Sequence, residues 1–194
     1  MSQNWTLTRT SSPSGLAVSL SEVKAHLRIS GTAQDSELTL LVEASTEKLE
    51  RDINRGILQA TWQQAQQAFP DCQDAIKIYM GNTTAVSSIT YVDSDKATQT
   101  LSTSLYSFSV SRGVVFNEGD NWPETDIATA SDKVFVNFTA GVSDADCLPR
   151  LYKQAILMET GRAYFDPAQE AQTNTDNGRS YELLVRKLIR SSYP

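Results

Sequence analysis

The chain has 194 residues, 40% of them apolar and 21% charged, which describes a globular protein long enough for one sizeable core or a small domain with a decorated insert. Its formal charge is −6, from 17 basic and 23 acidic side chains. Wrapping nucleic acid needs clustered Lys and Arg, so this balance argues against it, while an acidic wall past which DNA slides stays compatible.

Residues 1–17 are rich in Ser and Thr, with Pro13 and Gly15, and read as a flexible N-terminal arm. Helical pattern begins at 18 and runs to 56. Ser19 and Glu22 have capping-box spacing, and Val18 and Val23 have hydrophobic-staple spacing. The first helix is expected over 20–28, with Leu20, Val23 and Leu27 on one face and Gly31 ending it. Asp35 reads as the N-cap of a second helix. Along it Leu38, Leu41, Val42, Leu49 and Ile53 recur at helical period, while Glu43, Glu47, Lys48, Glu50 and Arg51 are expected to face water. Gly56 sits where a glycine closes a helix.

From 57 to 141 the pattern turns to β. A strand over 59–65 alternates with one mostly polar face, expected to be solvated or to meet an interface. Short strands follow at 76–80, 86–92, 98–101, 105–110, 113–116 and 133–140, with a turn at Asp93–Lys96. Val134, Val136 and Phe138 share a face of the last strand. The stretch 117–132 reads as a surface loop anchored by Trp122. A core helix over 146–166 begins near Pro149 and stops at Asp166-Pro167, with Leu151, Ala155, Met158 and Arg162 on its stripe and Ile156, Thr160 and Ala163 beside it. Residues 167–194 are a polar loop and a last helix near 180–191, apolar at Leu184, Val185, Leu188 and Ile189.

Chemistry-bearing residues form no catalytic pattern in sequence. His26 is the single histidine, expected to be structural or at the surface, since a triad needs a nucleophile beside it and a metal site needs further ligands. The aspartates fall in predicted turns and caps, where Asp makes local hydrogen bonds. No phosphate loop or nucleophile elbow occurs. Cys72 and Cys147 are far apart in no metal-like spacing, and a cytoplasmic setting would keep both reduced. The first residues hold no apolar signal-peptide region, and no apolar run approaches the ~20 residues of a membrane span. No cofactor, metal or membrane partner is expected. The basic residues Arg179, Arg186, Lys187 and Arg190 on the last helix stand out, and the segment reads as a docking helix for an acidic or polar partner, mobile until bound. Tyr181 and Tyr193 are grouped with them as candidate interface residues.

Leu20, Glu22, Lys24, Leu27, Arg28 and Ile29, then Asp35, then Asn54–Leu58 and the Thr61–Trp62 strand, follow an order that resembles the head–tail connector proteins of tailed bacteriophages, also called adaptor or head-completion proteins. The order of parts is similar to a subgroup in which a β-rich insert separates the N- and C-terminal helices. The resemblance implies an α+β fold, with a small helical core from both ends of the chain and an antiparallel β insert. It implies a structural virion protein of the neck, held in the bacterial host cytoplasm before assembly. Such a protein forms a ring beneath the portal, extends the DNA channel and joins head to tail. Its partners would be the portal protein, a tail or stopper protein, and other copies of itself in a twelve-fold ring; DNA would be passing cargo only. The alternatives are a small cytosolic hydrolase using the acidic loops, or a β module that grips a carbohydrate or peptide.

Overall fold

A computed structural model describes residues 5–71, 74–119, 121–125, 131–165 and 176–190; in the last helix the side chains of 180–189 are described. Two compact units divide the chain. A β-rich unit takes Met1–Pro13 with Gln59–Gly141, and a helical unit takes Ser14–Leu58 with Val142–Pro194. The helical unit is therefore built from both sides of a β insert, and the fold is α+β.

In the helical unit, α1 (Leu20–Leu27) begins at the expected capping box: Ser19 Oγ accepts from Glu22 N at 3.3 Å, and Glu22 Oε2 accepts from Ser19 N at 2.8 Å. The Ser19 amide and hydroxyl, with a smaller contribution from Lys153, hold the Glu22 carboxyl below its usual pKa. Val18 and Val23 are both buried, as the staple requires. The stop differs from expectation. Arg28 takes the left-handed conformation at φ 58°, and Gly31 lies beyond it in the loop. In α2 (Asp35–Ile53) Asp35 is the first helical residue and Gln34 the cap, without a side-chain cap bond. Asp35 instead pairs with Lys24 Nζ at 2.5 Å, an acid at the positive end of a helix. Leu38, Val42, Leu49 and Ile53 are buried as expected, and Leu41 only half-buried. Asn54, at φ 53°, ends the helix in place of Gly56; Asn tolerates this conformation, and its N–H bonds Glu50 O.

Glu50 corrects the sequence reading. It is buried rather than facing water, and its Oε1 accepts from Ile57 N at 2.8 Å. The chain leaves α2 so sharply that the Ile57 amide needs a local acceptor, and the Glu50 carboxylate in the last turn of α2, seven residues back, supplies it.

A 3-10 turn (Ala145–Cys147), with Asp144 Oδ1 accepting from Asp146 N, leads through Pro149 into α3 (Arg150–Phe165). Its inner stripe is Ala155, Ile156, Glu159, Thr160 and Gly161, whereas Leu151 is exposed and Met158 and Arg162 are half-buried. Its C-terminal part packs on α1 at Gly161, where an added Cβ would lie 3.4 Å from Leu27 Cδ2 and 3.6 Å from His26 Nε2. His26 is an exposed packing residue, as expected. The stop at Asp166-Pro167 lies outside the described residues. The last helix, α4 (Asp176–Arg190), starts earlier than expected and packs on its own core, burying Tyr181, Val185 and Leu188 among residues of the other helices. That packing differs from the sequence expectation of a helix mobile until a partner binds.

The β unit holds two antiparallel sheets. The larger has the order β1 (Trp5–Arg9), β2 (Ala60–Gln66), β8 (Val134–Ala140), β4 (Thr83–Val92), β5 (Thr98–Thr100). The smaller orders β3 (Ile76–Lys77), β7 (Val114–Asn117) and β6 (Tyr106–Ser109). The arm thus carries a paired strand: Trp5 to Arg9 register against Gln66 to Trp62, Trp5 stacks on Tyr79 at 4.3 Å, and Ser11 Oγ accepts from Thr61 N and Oγ1. Val134, Val136 and Phe138 are fully buried on one face of β8, as their alternation predicted, and share a core with Ile76, Ile89 and Val115. Trp122 is the anchor expected of its loop, donating from Nε1 to Asp74 O at 2.8 Å and stacking on Phe69. Asp93 organises the turn before β5, accepting from Asp95 N, Ala97 N and Gln99 Nε2.

The inward face of β2, shared with Ala60 and Trp62, also carries a polar side chain. Gln64 is fully buried; its Nε2 donates to Lys77 O at 2.8 Å and its Oε1 accepts from Tyr79 N at 2.9 Å. One amide side chain thus ties the larger sheet to the chain that runs through β3.

Candidate functional site

The candidate residues of the last helix separate in the structure. Tyr181 is 5% exposed; its hydroxyl donates to Asp52 Oδ2 at 2.8 Å, and its ring lies under Lys48 Nζ at 5.1 Å. Burial first, then the Asp52 carboxylate, pushes the phenol well above its ordinary pKa, so it is a fixed neutral donor. In the single copy it is a core residue. Arg186 and Lys187 are exposed on the opposite side of α4. The side chains of Arg179 and Arg190, and all of Tyr193, lie outside the described residues.

A charged cluster missed in the sequence underlies α4. Glu159 of α3 has 4% of its side chain exposed. Lys48 Nζ of α2 reaches its Oε1 at 2.7 Å, and Arg162 binds both its oxygens through Nε, with Nη2 on Oε1 at 2.5 Å. Burial alone would raise the Glu159 pKa, but the bonds from Arg162 and Lys48 outweigh it and hold the carboxyl below its usual value. Beside it Thr160 Oγ1 donates to buried Ser45 Oγ at 3.1 Å. A sequence signal existed: Glu159 falls on the same turn as Ile156 and Thr160, where a lone charge must find partners. The identity of those partners, 111 residues away for Lys48, was not legible.

One buried carboxylate here binds two cations, and these bonds tie α2 to α3. Among the described residues no group of three or more His, Cys, Asp or Glu could hold a metal ion. Cys147 is a free, exposed thiol, and Cys72 lies outside the described residues. No helix among the described residues is long and apolar enough to cross a membrane.

On the helical unit Leu40, Leu151, Phe165, Leu183 and Ile189 are exposed, with Phe165 at 72% and Leu40 at 64%. These large apolar groups lie on three different helices of the single copy, α2, α3 and α4.

Three comparisons bear on this surface. A family model described as phage gp6-like head-tail connector protein matches residues 17–125. No curated protein matches the chain in sequence. Among solved structures, a chain from the neck of an empty GTA particle computed with C6 symmetry is 18% identical, with a TM-score of 0.73 and 94% of each chain covered. A chain from the virion of a native gene transfer agent particle is 18% identical, with a TM-score of 0.72 and 93% of each covered. A chain from the neck of a native GTA particle computed with C12 symmetry is 17% identical, with a TM-score of 0.71, 94% of this chain and 93% of that one covered.

Proposed function

From the premise that this chain belongs to the phage gp6-like head-tail connector family, we propose that it is a ring-forming neck protein seated between the portal and the tail. Its role is structural: it links head and tail and catalyses nothing. The observation that carries this reading is the family match over 17–125, supported by a fold likeness that runs the length of the chain. The exposed apolar side chains of the helical unit supply the surface such an assembly buries.

The ring is twelve-fold and sits beneath the portal, with the tail or a stopper protein on its far side. A C12 neck among the structures of similar fold supports that number. Contacts within a closed ring run head to tail, so each copy presents two different faces. The acidic balance of the chain suits a channel that DNA passes without being held. Made in the host cytoplasm, the protein becomes part of the virion neck on assembly.

The test is electron microscopy of purified portal mixed with this protein. An added ring of density coaxial with the portal is expected, with twelve subunits in its averages. A portal left bare at protein concentrations well above micromolar would overturn the reading.

A further inference from the structure

The outer faces of α2 and α4 carry opposite charge around the same kind of centre. On α2 the buried stripe runs through Leu38, Val42, Leu49 and Ile53. On the opposite side of that helix Leu40 stands 64% exposed, and Glu37, Glu43 and Glu47 are exposed around it, with Arg51 at the far end. On α4 the buried stripe runs through Tyr181, Val185 and Leu188. Opposite it Leu183 stands 59% exposed, with Arg186 and Lys187 exposed beside it and Glu182 at the edge. Both helices bury their inner stripes in one core and turn their outer faces to solvent.

Resting on the ring reading above, we infer that these two faces meet between neighbouring copies: the acidic, Leu40-centred face of α2 in one copy docks on the basic, Leu183-centred face of α4 in the next. The occupant is a second copy of this chain because the complement of each face is present on the other. An apolar centre excludes water while the surrounding charges set register and reject the wrong pairing, since α2 on α2 or α4 on α4 would bring like charges together. The contact is therefore head to tail and repeats from copy to copy, which is the geometry that closes into a ring. It also assigns α4 its two sides. The inner one, fixed by Tyr181 and the Glu159 cluster, holds the outer one rigid for docking.

The experiment is a charge swap read by ring formation on the portal and by cross-linking without it. Glu37→Lys with Glu43→Lys, and separately Arg186→Glu with Lys187→Glu, are each expected to lower ring formation at least tenfold, more at low salt than at high. The protein carrying all four changes has both faces reversed and is expected to recover assembly. All four sites are exposed, and unchanged circular dichroism melts confirm that each variant folds. In a Cys72→Ser, Cys147→Ser background, Leu40→Cys protein mixed with Leu183→Cys protein is expected to give a disulfide-linked pair, and either alone none. Rings that form normally in both charge-reversed variants would overturn this interface while leaving the connector reading intact. Failure of the fourfold variant to recover, with no mixed disulfide, would overturn it too, and would assign the faces to the portal if the reversals abolish portal attachment alone. No ring from the wild-type protein on the portal, together with a mixed disulfide between the two cysteine variants, would sink the connector reading and keep the interface.

Discussion

At the scale of single residues, the buried polar groups decide more than their number suggests. Glu159 is held ionised by Arg162 and Lys48 against the cost of its burial. Because its folded pKa lies below the usual 4.5, its contribution to stability is present above that value and disappears as pH falls through the folded pKa. Replacing it with Gln removes that titration, so the melting temperature of Glu159→Gln should fall less steeply than that of the wild type below pH 4.5. Glu159→Ala strands two cations in a half-dry site and should cost about 3–5 kcal/mol in urea denaturation at neutral pH. Gln64 gives a second case. Gln64→Ala leaves the Lys77 carbonyl and the Tyr79 amide without their partner and should cost about 1–3 kcal/mol, whereas a solvated strand glutamine would cost almost nothing.

At the scale of elements, the start of α1 and the buried stripe of α2 obey their local signals, and the later helices obey their neighbours. Leu49 is fully buried on α2 and Leu40 is not. Leu49→Ala should therefore destabilise by about 2–5 kcal/mol and Leu40→Ala by under about 0.5 kcal/mol, with half-buried Leu41 between them; thermal melts of the three variants give the order. The last helix is held by Tyr181, Val185 and Leu188 and by the Tyr181 hydroxyl on Asp52. Leu188→Ala should cost about 2–5 kcal/mol in the free protein. A helix that waits for its partner would show no change before assembly, so the same melt separates the two descriptions.

At the scale of the whole molecule, each unit has a core of its own. Leu38, Val42, Leu49 and Ile156 belong to the helical one, and Ile89, Val115, Val136 and Phe138 to the β one. Phe138→Ala should speed amide exchange across β2, β4 and β8 far more than across α2 and α3, and Leu49→Ala should do the reverse. Hydrogen exchange followed by mass spectrometry reads both. Equal acceleration in both units after either change would mean that they unfold as one.

The sequence by itself determined the local and the periodic: the Ser19–Glu22 box, the alternation of Val134, Val136 and Phe138, the turn at Asp93, the Trp122 anchor and the division into terminal helices and a β insert. The order of these parts also carried the family. Each of these signals lies within a few residues of chain, where spacing translates directly into a face or a hydrogen bond. Only the tertiary structure decided which charged and polar groups are inside. Glu50, Gln64, Glu159 and Tyr181 look like surface residues in a linear reading, and each is buried because one partner or several, at Ile57, at Lys77 and Tyr79, at Lys48 and Arg162, and at Asp52, satisfy it. Tertiary structure also set the inner face of α3, where the small side of the helix won over exposed Leu151 because close helix packing is a property of the pair, not of either sequence alone.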